Sequence, residues 1–235
     1  MLSAWVLSSW LWASSAWAVP SSTRSQNAIA RVQPQLEVDL ESQGLRLGSP
    51  IYIRIFKEES ELELWVQGDE RFERFRTYPI CTWSGELGPK LAEGDNQAPE
   101  GFYYVNARRL NPMSTFHLSF NLGFPNQYDR VRGRTGSYLM VHGNCVSIGC
   151  YAMTDPVIEE IWTLIDAAMN GGQNYFRVHA FPFRMTADKL EAEKDSKWFS
   201  FWTNLKQGYD MFETTGWPPN TTVHNRAYVF TSTAP

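Results

Sequence analysis

The segment from His142 to Met153 reads HGNCVSIGCYAM and holds two of the chain's three cysteines beside one of its four histidines. Cys150 follows Ser147-Ile148-Gly149 and stands five residues before Asp155, which reads as a helix cap with Pro156 in the first turn. A glycine just before a nucleophile lets the backbone turn tightly. It also lets a substrate carbonyl approach with no Cβ in the way. The N–H groups of such a turn, here Gly149 and Cys150, are candidates to face an oxyanion developing on that carbonyl. His142 ends a strand eight residues earlier, so a short loop brings its imidazole back beside the sulfur. A thiol that passes its proton to histidine attacks a carbonyl as thiolate, and the chemistry is acyl transfer through a thioester.

Plainer roles compete with this one. Cys150 as an inert buried thiol is one. A Cys145–Cys150 disulfide is another, and it would block the attacking sulfur. Cys145 and Cys81 otherwise read as small core residues. Two cysteines and one histidine lack a fourth ligand for zinc, and no C-x-x-C occurs, so no metal and no cofactor is expected. His142 could equally be a satisfied core histidine. His179 either lines the site as a second polar group or simply packs, while His117 and His224 read as structural or surface residues.

Strands must position these residues. Ile51 to Phe56 alternates with three isoleucines on one face, and Leu62 to Val66 follows an acidic turn, so the two form a hairpin. Phe72 to Ile80, Phe102 to Val105, Phe116 to Leu122, Ser137 to Val141 and Tyr175 to Ala180 are further strands. Ser84 to Gly101 has four glycines and two prolines and reads as a long loop, a kind more often functional than idle. After Cys150, an apolar face from Val157 to Ala168 at helical spacing predicts one helix, ended by Asn170-Gly171-Gly172. Upstream, SSTRSQNA reads as a flexible leader, followed by weak helical spacing from Ala28 to Gly44. The tail has a charged helical stretch (Ala187 to Lys194) and an aromatic one (Lys197 to Phe212) expected to dock as a helix.

The bulk numbers describe one globular domain, and the N-terminus reads as an export signal. A chain of 235 residues, 43% hydrophobic, has room for one large core. A net charge of −4 gives no broad basic field and argues against nucleic acid as a partner. Residues 1–18 combine an apolar run with Ala16-Trp17-Ala18 and read as an export signal, without a basic residue before the run. An uncleaved anchor is the alternative, and would be the chain's only link to a membrane. Export implies an oxidising compartment in which an odd cysteine count leaves one thiol unpaired.

The pattern HG…S-x-G-C on a strand-rich exported chain resembles the L,D-transpeptidase (YkuD-type) catalytic domain family. The His142–Cys150 gap is shorter than that family's usual one. Ile148 stands where a second histidine is usual, and Ala152 where arginine is. These departures resemble the YafK-like branch. So do Tyr78 to Gly101 (YPICTWSGELGPKLAEGDNQAPEG), Phe120 to Arg130 (FNLGFPNQYDR) and Val178 to Met185 (VHAFPFRM). The resemblance spans about residues 51–185.

It implies a mainly β, α+β fold: a β-sandwich or barrel over residues 49–185, with one helix after the nucleophile. Residues 19–48 would form a leader and helical segment, and residues 186–235 a helical C-terminal addition. It makes Cys150 the nucleophile and His142 the base. The imidazole's other nitrogen would be held by a carbonyl at Gly143 or Asn144, with Gly143 part of the site backbone. With the usual arginine gone, Arg130, Arg132, Arg134 and Lys90 are the cations left to anchor substrate, beside Ser147 and His179. The implied partner is peptidoglycan, through its diaminopimelate-containing stem peptides, in the periplasm. Transfer to an amine is the expected reaction. Hydrolysis of diaminopimelate-linked bonds, such as those to an envelope lipoprotein, is the alternative. A non-catalytic peptidoglycan-binding module is the reading of another class.

Overall fold

The computed structural model describes residues 18–235; the expected export signal lies outside them, save Ala18. Two five-stranded sheets pack face to face. The larger contains β1 (Ile51–Phe56), β2 (Glu61–Gln67), β3 (Phe72–Pro79), β5 (Gly101–Asn106) and β10 (Tyr175–Phe181), in the order β3-β2-β1-β10-β5. The smaller contains β4 (Thr82–Trp83), β6 (Leu110–Asn111), β7 (Ser119–Asn121), β8 (Met140–His142) and β9 (Tyr151–Ala152), in the order β4-β9-β8-β7-β6. The architecture is an α+β sandwich; the sheets do not close into a barrel.

Between the sheets lies the main core. Ile53, Ile55, Leu62, Leu64, Phe120, Val141, Tyr151, Phe176 and Val178 are all fully buried there. Each such apolar side chain contributes about 1.5–3 kcal/mol relative to exposure. β1 was expected to bury one face only, yet all six of its residues are buried. Its second face, carrying Tyr52, Arg54 and Phe56, is covered by α5 (Phe199–Thr215). The buried Arg54 guanidinium bonds Glu63 Oε2 at 2.9–3.0 Å, pairs with Glu213 of α5 and lies over the Trp65 and Phe212 rings. The aromatic tail thus docks as a helix. A short helix α4 (Ala187–Ala192) leads into it, and a hairpin of β11 (Asn220–His224) and β12 (Ala227–Thr231) follows.

The leader is not loose. Helix α1 (Thr23–Glu41) begins five residues before Ala28, because Ser22 and Ser25 cap each other's backbone N–H groups at 3.1 and 2.9 Å. It packs against α3 (Asp155–Asn170), the helix that follows the cysteine turn. One short helix, α2 (Gln127–Val131), had no strong sequence signal; Asn126 and Asp129 cap it reciprocally.

Candidate active site

β8 and β9 run parallel, with Val141 beside Tyr151 and His142 beside Ala152. Carried back one residue, that register sets Met140 beside Cys150, and the Met140 N–H points at Cys150 Sγ at 3.4 Å. Side chains alternate along a strand. Val141 and Tyr151 face the core, so Met140, His142 and Cys150 share the opposite face. His142 and Cys150 therefore sit on adjacent strands, one in-phase step of about 7 Å apart along the chain direction.

His142 is buried, and its ring lies 4.7 Å from the Phe116 ring. Its Nδ1 is 2.6 Å from the Gly143 carbonyl. A carbonyl only accepts, so Nδ1 carries the proton and Nε2 keeps the lone pair a general base needs. Burial pushes the histidine below its ordinary value of 6.5, with the Gly143 carbonyl opposing. Burial also raises the Cys150 thiol, against the Met140 N–H and the charge of Lys90. Both causes favour a neutral resting pair, thiol plus imidazole, rather than a standing ion pair.

The turn before the cysteine is built for close approach. Gly149 has φ +141°, a conformation that disfavours any side chain. Gly143 lies against α3, where a Cβ would fall 2.6 Å from Asp155 Oδ1. Asp155 was expected to cap α3. Thr154 takes the N-cap position instead, and the Asp155 carboxylate accepts the Asn144 N–H at 2.8 Å, fixing the loop between histidine and cysteine.

Several candidate residues are held within the fold. Ser147 is one of them. Its Oγ accepts the N–H groups of Gly149 (3.2 Å) and Cys150 (3.1 Å) and donates to the Cys150 carbonyl at 2.7 Å. The two oxyanion candidates are thus turned toward a hydroxyl inside the loop. Arg134 is a buried strut: Nη1 bonds Asp129 Oδ1 at 2.8 Å and the guanidinium lies over Tyr128 and Phe201. Arg130 donates to the Pro125 carbonyl and Arg132 to the Arg226 carbonyl. Lys90 is paired with Asp95 and the Ala92 carbonyl, though its charge still reaches the thiol. His179 lies on the larger sheet's outer face, fully enclosed, 2.6 Å from Tyr52 Oη, and does not join His142. Of the remaining histidines, His117 bonds Glu159 at 2.8 Å.

The cysteines pair differently from either expectation. Cys81 and Cys145 form a disulfide, and Cys150 is free. Neither paired cysteine is core; both are exposed. The Cys81 N–H bonds the Ala152 carbonyl and the Cys145 N–H the Met153 carbonyl, so both flank the same strand end. The bridge anchors the loop that carries Cys150. A further anchor left no motif. Lys57, fully buried, donates to the carbonyls of Glu86, Gly88 and Ala98 and to Glu100 Oε1 at 2.7–3.1 Å. It pins both ends of the long loop, which touches the cysteine turn where Ser84 Oγ meets Ser147 Oγ at 3.4 Å. A cation enclosed by carbonyls becomes visible only once those carbonyls converge. Among the described residues no cluster of three or more His, Cys, Asp or Glu is arranged to hold a metal ion.

The YkuD family model, the L,D-transpeptidase catalytic domain, matches residues 50–220. Two relatives, from Escherichia coli K12 and O157:H7, carry the name "Putative L,D-transpeptidase YafK". Each is 49% identical over 183 residues, covering 78% of this chain and 74% of its own. Among solved structures, the helical cell shape determining protein Pgp2 from Campylobacter jejuni is 22% identical with a TM-score of 0.44. That match covers 61% of this chain and 54% of Pgp2. Bd1075 of Bdellovibrio bacteriovorus is 18% identical with a TM-score of 0.41, covering 75% and 78%.

Proposed function

Because the chain belongs to the YkuD family of L,D-transpeptidase catalytic domains, we propose that it is an exported cysteine acyltransferase acting on peptidoglycan stem peptides in the cell envelope. One observation carries this reading. The chain's free thiol shares a strand face with a histidine whose Nδ1 is committed to a carbonyl, leaving Nε2 for proton transfer.

The reaction runs in two halves. Cys150 attacks the amide carbonyl of a diaminopimelate-containing stem as its proton passes to His142 Nε2. The tetrahedral oxyanion collapses, the C–N bond breaks, and the imidazolium returns the proton to the departing amine. The Met140 N–H stabilises the sulfur whenever it is anionic. In the second half an acceptor amine attacks the thioester, His142 takes its proton, and Cys150 leaves and is reprotonated. The oxyanion would displace the Ser147 hydroxyl from the N–H groups of Gly149 and Cys150.

Transfer to an amine is preferred over hydrolysis because large apolar side chains surround the turn and face solvent: Tyr138, Val146 and Ile148 are 75%, 51% and 83% exposed. Such a rim suits a second peptide better than bare water. Incubation with muropeptides, with and without an added amine, tests this. New crosslinked or amine-capped products that vanish in Cys150→Ala are expected. Shortened, uncrosslinked fragments alone would mark a hydrolase, and no Cys150-dependent product would mark a binding module.

A further inference from the structure

On the outer face of the larger sheet lies a cavity of about 610 Å³ that contains neither Cys150 nor His142. It is walled by β5, β10, α2 and the β11–β12 hairpin, whereas the Cys150 face belongs to the other sheet and points away from the sandwich. Three arginines line it: Arg109, Arg130 and Arg177. No aspartate or glutamate does, in a chain whose net charge is −4. None of the three forms an ion pair among the described residues.

Each guanidinium is nevertheless held in place. Arg109 donates to the Tyr104 and Leu122 carbonyls, lies over the Tyr104 ring, and packs on Gly123, where a Cβ would overlap it. Arg177 donates to Asn220 Oδ1 at 2.5 Å and lies over Tyr175. Arg130 donates to the Pro125 carbonyl at 2.5 Å. A guanidinium has five N–H donors, so these contacts leave most of them for a ligand. Arg109 is also repelled by Arg130: burial lowers its pKa first, Tyr104 opposes, and the repulsion from Arg130 lowers it further. An anion bridging the two relieves the repulsion. At the cavity's edge Tyr104 and Tyr175 are 53% and 42% exposed, their rings 5.8 Å apart, beside the amide side chains of Asn126 and Gln127.

We infer that this cavity is a second ligand site, seating carboxylates of an acidic peptide on Arg109, Arg130 and Arg177. Assigning that peptide to a peptidoglycan stem rests on the function proposed above. A site on the far side of the sandwich cannot present its ligand to Cys150. It holds a neighbouring stem of the same polymer and keeps the enzyme on its substrate by two-point attachment.

The test uses the full-length Cys150→Ala chain, so no turnover intrudes. Arginine modification by phenylglyoxal is read residue by residue by mass spectrometry. A disaccharide-tetrapeptide with free carboxylates should protect all three arginines. The same fragment with amidated carboxylates should need at least about tenfold more for equal protection, the loss of charge-assisted hydrogen bonds. Arg109→Ala/Arg177→Ala in the same background should weaken calorimetric binding at one of two sites by about tenfold or more. No protection, equal protection by the amidated fragment, or protection by inorganic phosphate alone overturns the proposal. Turnover by the unmodified enzyme on soluble fragments judges the Cys150 reading separately. Its absence beside intact protection would sink that reading, leave the cavity a carboxylate site, and remove only its assignment to a stem.

Discussion

Two histidines occupy opposite faces of this sandwich under nearly matching local conditions. His142 on β8 and His179 on β10 are 2% and 1% exposed. Each has a ring nitrogen 2.6 Å from an oxygen, and burial lowers the pKa of both. What separates them is their neighbours. His142 keeps a lone-pair nitrogen on the strand face that carries a free thiol at an open turn. His179 is enclosed by the rings of Tyr52, Phe102 and Phe181, with no nucleophile beside it. A buried, well-bonded imidazole is therefore a fold element by default. On the reading proposed here, it becomes a base when a second strand brings a thiol to the same face.

The largest expected effect is at the reacting pair. Cys150→Ser should reduce turnover of muropeptides below detection, and His142→Ala should lower kcat/KM by about 10²–10⁴-fold. If His179→Ala lowered kcat as far in protein shown to be folded, the distinction between the two faces would be lost. Next comes the bridge that anchors the loop carrying Cys150. Cys81 and Cys145 are 64 residues apart, so replacing both by serine should cost about 4 kcal/mol of stability by loop-closure entropy. Denaturant titration with and without reductant measures this, and an unchanged midpoint would show the bridge to be idle.

His179→Ala should read out in stability instead, about 1–3 kcal/mol, because Tyr52 Oη is left buried without its partner. A restored midpoint in the double variant with Tyr52→Phe would locate the cost in that hydrogen bond. Ser147→Ala should loosen the turn it ties together, with kcat falling about tenfold. A rise in kcat would mean that the hydroxyl mainly obstructs the two N–H groups.

The gentlest probe is pH. Burial favours the neutral form of both members of the pair, so acid removes activity by protonating His142. The log of kcat/KM should climb with pH through an apparent pKa below 6.5. It should then stay level until above 9.0, since the thiol is raised from that ordinary value. Rapid alkylation of Cys150 at pH 5 would instead reveal a thiolate–imidazolium pair.

Much of the candidate site was legible before any coordinates. The isoleucine alternation of β1, the apolar stripe of α3 and the S-x-G-C turn are local patterns, and local patterns survive in a linear text. What escaped reading was made by convergence. β4 and β9 are two residues long and exist through their neighbours. Asp155 had the chemistry of a helix cap, yet its carboxylate was drawn to Asn144, eleven residues away in sequence. Arg134 read as a substrate cation, but it is buried against Asp129, and the buried Lys57 is held by carbonyls from a distant loop. The Cys81–Cys145 bridge depends on two loops meeting at one strand end, which spacing alone cannot specify.

The sequence by itself determined the candidates for the reacting atoms: a cysteine just after a glycine, and a histidine one short loop upstream. Residue type sets which atoms can serve as nucleophile or base, whatever the environment then does to their acidity. Tertiary structure decided everything that depends on direction. It chose which histidine shares a strand face with Cys150, which cysteines bond, which cations are neutralised, and which three arginines line a cavity with no acid in its wall. Those outcomes require several segments to arrive at one point, and only the packed fold brings them there.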